Sequence, residues 1–213
     1  MSLTGLGLKL AGIIVALAGG SVVLTVVFAA AAVWVLGLAV PVTASYIIAA
    51  VMIAPALTQV GIPAVAAHMF IFYYAVLSEV SPPTALSPFA AAALTGGNPF
   101  RTMMLTWKYT LPAFLVPFVF TLSKEGLGVL LQAPLDDVLR SSLTAAAGVA
   151  AFAVAFGGWL WREATVPERI AAGVAGVLLF AAGGVVDLAG AGLFVAVVVV
   201  HVIRIRRRLA RRK

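Results

Sequence analysis

The chain has 213 residues, 63% of them hydrophobic and 10% charged, with a mean hydropathy of +1.16. Soluble domains carry about 25% charged residues, so the composition excludes a water-soluble domain, a disordered segment and, despite a net charge of +7, a nucleic-acid binder. Cysteine is absent, which removes disulfides, thiolate metal sites and a cysteine nucleophile.

What remains is an all-α polytopic membrane protein. The alternating strands of about ten residues that mark a transmembrane barrel are not visible. Residues 1–18 are expected to form a short apolar arm helix lying along the membrane surface, closed by Gly19 and Gly20. Gly20 to Val40 is long enough to cross. It runs, however, into Gly37-Leu38-Ala39-Val40-Pro41-Val42-Thr43-Ala44-Ser45-Tyr46, with no charge within thirty residues of Pro41 on either side. A water-exposed loop of that composition is implausible. The sequence therefore predicts a re-entrant helical hairpin over 19–61 whose tip stays inside the membrane. Irregular backbone is tolerated at that depth only when buried in protein or lining a cavity.

Residues 63–96 form a second irregular element, broken at Ser78-Glu79-Val80-Ser81-Pro82-Pro83-Thr84. Two successive prolines remove two amide donors and push the preceding residue out of helical geometry. The expected object is one discontinuous transmembrane helix, so that residues 19–97 hold a hairpin and a broken helix together. Residues 98–122 read as a connector that starts at the interface and then spans, the first of about four further membrane helices. In 123–203 a polar loop to Ser142 precedes spans at Leu143–Trp161, Ile170–Val186 and Leu188–Ile203, with residues 162–169 as the loop between the first two. The final segment, 204–213, holds seven of the fourteen positive charges. A basic run after an apolar span is expected on the cytoplasmic side, favoured there by the positive-inside bias and anionic lipid.

The two breaks carry the chemistry. Backbone groups freed inside a membrane are costly unless something satisfies them. Half-helix N-termini face anions, and unwound carbonyls coordinate small cations, the recurring design of broken-helix transporters. Both breaks also bear hydroxyls, Thr43 and Ser45 at the first and Ser78, Ser81 and Thr84 at the second. Hydroxyl and carbonyl oxygens suit a hard cation such as sodium. The competing reading is two proline kinks whose serines bond back to their own helices. Glu79 is the only acid among the first hundred residues. An intramembrane carboxylate is a functional candidate by default: a cation ligand, a proton carrier, or a group at a water-filled crevice. Ser45, Glu79 and Thr84 are the candidates for substrate contact or coupling.

His68 precedes Glu79 by eleven residues, about 16 Å along a helix, which is too far for a shared metal site. It reads as a packed or interfacial histidine, and His201 as interfacial. A serine nucleophile needs a base within reach, and the only histidines are at positions 68 and 201, so no enzyme is expected, and no cofactor beyond a coupling sodium ion. A purely structural or assembly subunit, or a truncated remnant, is the alternative to transport.

Several segments, taken in order, are similar to one family. They are Leu3-Thr4-Gly5-Leu6-Gly7-Leu8-Lys9-Leu10, the tip from Leu36 to Tyr46, Ala54-Pro55-Ala56-Leu57, and Ala66 to Ser78 leading to Ser81-Pro82-Pro83. The chain resembles the fused permeases of tripartite ATP-independent periplasmic (TRAP) transporters, especially those working with TAXI-type binding proteins. The likeness is dense over about residues 3–110 and looser to about 200.

The resemblance implies a sodium-driven importer of organic acids in the inner membrane, fed by a periplasmic substrate-binding protein. It implies an elevator-type transport domain of two inverted repeats, each with a hairpin and a broken helix. Residue by residue, it points to Gly37, Pro41, Thr43, Ser78, Ser81 and Pro83 as cation-holding positions, several through backbone oxygen. The chain departs from the family at Ala39, where the tip usually has a second glycine, and at Ser81, usually threonine. The segment corresponds to the second repeat plus a C-terminal extension. The expected partners are therefore the lipid bilayer, a chain carrying the first repeat, and the small membrane subunit.

Overall fold

The computed structural model describes residues 5–181 and 183–210. Parts of the expected arm, of the Leu3–Leu10 segment and of the basic tail (1–4 and 211–213) lie outside the described residues. The chain divides into two units, Met1–Leu122 and Ser123–Lys213. All described elements are helical, apart from one isolated bridge between Trp159 and Glu163.

Unit 1 contains α1 (Leu6–Leu17), α2 (Val22–Gly37), α3 (Val42–Met52), α4 (Ala54–Gln59), α5 (Ala64–Ser78), α6 (Leu86–Thr95) and α7 (Pro99–Leu122). Ser21 caps α2: its carbonyl accepts from the Thr25 hydroxyl at 2.8 Å and from the Thr25 amide at 2.9 Å. The Gly20–Val40 stretch, expected to be long enough to cross, holds a helix of only 16 residues. At 1.5 Å per residue that is about 24 Å, short of the ~30 Å hydrocarbon core. Pro41 stops it, and α3 returns after a turn at Leu38–Pro41. Hairpin geometry thus follows from one proline and two short apolar arms.

α2 packs along α5. The buried face of α2 is Thr25, Val26, Ala29, Ala30, Val33 and Gly37; that of α5 includes Ala66, Ala67, Phe70, Ile71, Tyr74, Ala75 and Ser78. Both sets recur at i, i+1, i+4, i+5, a continuous helical stripe. Small residues on each stripe let the backbones approach, the usual way of packing helices in lipid. Trp34 and Tyr74 share one cavity, and Gly37 sits against Ser78, so the two helices run in the same direction and end together. α7 is continuous over 24 residues, with Asn98 accepting from the Arg101 amide at its start. It packs on α5 and α6, and the Tyr74 hydroxyl donates to the Phe114 carbonyl at 2.6 Å.

Unit 2 opens with a 3-10 turn over Glu125–Leu130, followed by α8 (Leu135–Gly157), α9 (Val166–Phe180) and α10 (Gly184–Ala210). α9 packs against both α8 and α10. Gly148 of α8 seats Phe180, and Gly176 of α9 seats Phe152.

Here the element bounds differ from those expected. α8 begins at Leu135, not Leu143, because Pro134 caps it and Asp136 and Asp137 sit in its first turn, where carboxylates meet the positive end of the helix dipole. α9 begins at Val166, not Ile170: Thr165 and Glu168 form a reciprocal capping box with Pro167 in the first turn. α10 takes in Asp187 and runs on through Arg204, Arg206 and Arg207, so the start of the basic segment is helix. Among the described residues α7, α8 and α10 are long and apolar enough to cross a membrane, whereas α9 has 15 residues.

Candidate functional site

The hairpin tip and the break between α5 and α6 meet in unit 1. They enclose a cleft of about 220 Å³ lined by Gly37, Leu38, Ala39, Val40, Pro41, Glu79, Thr84 and Leu86. Four of the nine residues singled out from the sequence, Gly37, Pro41, Glu79 and Thr84, are therefore brought together on one surface. Ser78 lies fully buried beneath it, against Gly37. Ser45 and Ser81 are fully buried, while Thr43 and Pro83 are exposed and do not line the cleft.

Gly37 is required by proximity. A Cβ there would fall 2.6 Å from the Cβ of Ser78 and nearer still to its hydroxyl oxygen. Carbon atoms normally sit about 3.5–4.0 Å apart. Only a residue without a side chain lets the end of α2 touch the end of α5.

Backbone accounting shows what the prolines do. In a continuous helix the carbonyl of residue i accepts from the amide of i+4. Pro41 stands four residues after Gly37, Pro82 four after Ser78 and Pro83 four after Glu79, and none of the three has an amide hydrogen. The Ser78 carbonyl is rescued by the Ser81 amide at 3.1 Å. Among the described residues no backbone amide reaches the carbonyls of Gly37 or Glu79. Both residues line the same cleft. A carbonyl left without a donor away from water is costly.

The hydroxyls behave differently. Ser45 donates to Val40 O at 3.0 Å, Ser78 to Ala75 O at 2.7 Å and Ser81 to Leu77 O at 2.8 Å. Each proton is used within its own turn or helix, leaving only oxygen lone pairs for a ligand. These bonds also hold the two tips in shape. The Glu79 carboxylate is half-buried, with no hydrogen bond or ion pair among the described residues. It is the only acid of unit 1. α6 restarts at Ala85, a fully buried residue with φ +37°, and Pro82–Pro83 is a cis peptide bond.

His68 does not join this site. Its Nδ1 lies 3.2 Å from the Tyr46 hydroxyl, tying α5 to α3. Among the described residues no group of three or more His, Cys, Asp or Glu is placed to hold a metal ion. The hydrophobic lining residues Leu38, Val40 and Leu86 carry no chemical signal in the sequence beyond their position beside the breaks.

His201 is fully buried. Its Nδ1 lies 3.2 Å from Glu168 Oε2, and Arg204 reaches the same oxygen at 2.9 Å. Sequence reasoning missed this group by treating 162–169 as loop. The pattern Thr165-Val166-Pro167-Glu168, a helix-start signature, was the available signal.

Residues 1–126 match the family model described as tripartite ATP-independent periplasmic transporter, DctM component. That range covers unit 1 and the first residues of unit 2. No curated protein and no solved structure matches the chain.

Proposed function

We propose a function from one premise: this chain belongs to the DctM family of tripartite ATP-independent periplasmic transporters. It is thus a membrane-embedded permease component, working with the other components of such a transporter, and the family is one of transporters rather than enzymes. Our finer reading is a secondary, sodium-coupled permease. It takes an organic acid delivered by a periplasmic binding protein, of the TAXI type, and moves it across the inner membrane.

In this reading unit 1 supplies one repeat of the transport domain. The complementary repeat and the small membrane subunit complete the permease. Gly37, Pro41, Thr43, Ser78, Ser81 and Pro83 form the cation-holding region, with Ser45, Glu79 and Thr84 available for coupling or substrate. The basic end of α10 faces the cytoplasm, as the positive-inside bias favours.

One observation carries the proposal. Gly37 and Glu79, whose carbonyls receive no backbone amide among the described residues, line a single cleft together with the unpaired Glu79 carboxylate. The direct test is uptake into liposomes holding this chain, its complementary repeat, the small subunit and the binding protein. Uptake driven by an inward sodium gradient is expected. Uptake indifferent to sodium refutes the coupling ion, and no uptake with any complement favours a structural or assembly subunit. That second reading has its own support, because the Ser45, Ser78 and Ser81 hydroxyls bond back as ordinary kinked helices do.

A further inference from the structure

Unit 2 contains a polar site outside the residues of the family match. The α8–α9 loop and the end of α10 enclose a cleft of about 430 Å³ lined by Trp159, Trp161, Arg162, Glu163, Arg204 and Ile205. The loop is pinned from three sides. Gly158 ends α8 with φ +72°, and the Arg169 guanidinium lies 3.4 Å from where its Cβ would be. Arg169 Nε donates to Ala155 O at 2.8 Å, and the Ala164 amide donates to Gly158 O at 2.9 Å. Arg204 Nη2 donates to Glu163 O at 2.8 Å. The bridge from Trp159 to Glu163 closes the turn and leaves both indoles well exposed, at 59% and 62%.

Arg204 is held in place from behind. The same Nη2 meets Glu168 Oε2 at 2.9 Å and His201 Nδ1 at 3.0 Å, while its Nε is buried with no partner. A buried N–H without an acceptor is costly; the Arg204 side chain nevertheless lines the cleft and is 22% exposed, so its guanidinium is open to an anionic oxygen there. Arg162 is exposed on the cleft wall, and Arg206 and Arg207 are exposed close by along α10. Glu163 is the one acid in the lining, against two arginines. Arg204 directly follows the apolar run of α10, which places the cleft at the level where lipid headgroups begin. Indoles prefer that level, and basic pockets between helices there bind anionic headgroups.

We propose that this cleft binds the phosphate of an anionic phospholipid, with Arg204 and Arg162 on the phosphate oxygens and Trp159 and Trp161 beside the glycerol and upper acyl chains. The test uses the full chain, purified and delipidated in a neutral detergent. Phosphatidylglycerol or phosphatidylcholine is added, and bound lipid is counted by native mass spectrometry. Retention of one phosphatidylglycerol, favoured about tenfold over phosphatidylcholine, is expected: both lipids offer the phosphate, but phosphatidylcholine also brings a choline cation beside Arg162 and Arg204, and like charges held together repel. Arg162→Gln changes an exposed side chain outside the Glu168 cluster, is expected to keep the parent's unfolding temperature, and is expected to abolish most of the preference. Equal retention of the two lipids overturns the proposal. So does a preference that survives Arg162→Gln, which would assign it to the basic segment at large. Displacement by free glycerol phosphate also overturns it, making the site one for a soluble anion.

Discussion

Replacing Gly37 by alanine puts one methyl group between the hairpin tip and the broken helix. The new carbon would lie 2.6 Å from Ser78 Cβ, about 1 Å inside ordinary contact. Neither side has room to yield: Gly37 and Ser78 are both buried, and Ser78 is bonded to Ala75 O at 2.7 Å. Overpacking of this kind costs about 1–3 kcal/mol. At roughly 2–4 °C per kcal/mol for a chain of this size, Gly37→Ala should lower the unfolding temperature in detergent by about 2–12 °C. Ser78→Gly alone should cost about 1 kcal/mol as a helix-propensity effect. It also removes the atoms the new methyl strikes, so the double variant should be more stable than the sum of the singles by about 1 kcal/mol or more. Strict additivity of the two changes would refute the contact argument. So would an unfolding temperature for Gly37→Ala equal to that of the parent.

Pro83→Ala and Pro41→Ala each return an amide four residues after an orphaned carbonyl; both should weaken sodium activation of reconstituted uptake about tenfold, by about one hydrogen bond's worth. Pro82→Ala is the control, since the Ser78 carbonyl is already filled, and a matching loss there would discredit the backbone accounting. Glu79→Gln keeps the shape of the cleft and removes its charge, so half-saturation by sodium should rise about tenfold; an unmoved sodium curve would place the carboxylate outside the cation's surroundings. Glu168→Gln removes the buried partner of Arg204 and should destabilise the chain by about 3–5 kcal/mol, while the exposed Glu163→Gln should stay within about 0.5 kcal/mol. Thermal unfolding of the two side by side decides it.

The hairpin and the broken helix were legible because their signal is local and steric. Pro41, Pro82 and Pro83 break a continuous helix, and the absence of charge around Pro41 speaks against a water-exposed loop. The partnership of the two breaks was legible only through family resemblance. Nothing in the spacing of Gly37 and Ser78 announces that they touch, because that contact depends on which faces of α2 and α5 meet. The helix starts of unit 2 are less legible. Asp136 and Asp137, Glu168 and Asp187 each lie in the first turn of a helix, yet a charged residue between apolar runs reads as loop. Acids at helix N-termini are favoured by the dipole and by exposed amides, and Asp187 shows both gains. It accepts the Gly183 amide at 3.1 Å and pairs with Arg140 at 2.8 Å. The Glu168–His201 contact joins residues 33 positions apart and is invisible to any local pattern.

The glycine at the end of α2 also sets a register. Along the α2 face that meets α5, Thr25, Val26, Ala29, Ala30 and Val33 all carry a Cβ, and Gly37 does not. Ser78 therefore has a single seat. Sliding α5 back by one helical turn, about 5.4 Å, would set Ser78 against Val33, where the space is filled. The alanine-lined faces would otherwise permit such slippage, so Gly37 acts as a detent. Hairpin and broken helix are thereby geared together, and the two tips hold the cleft between them as parts of one body.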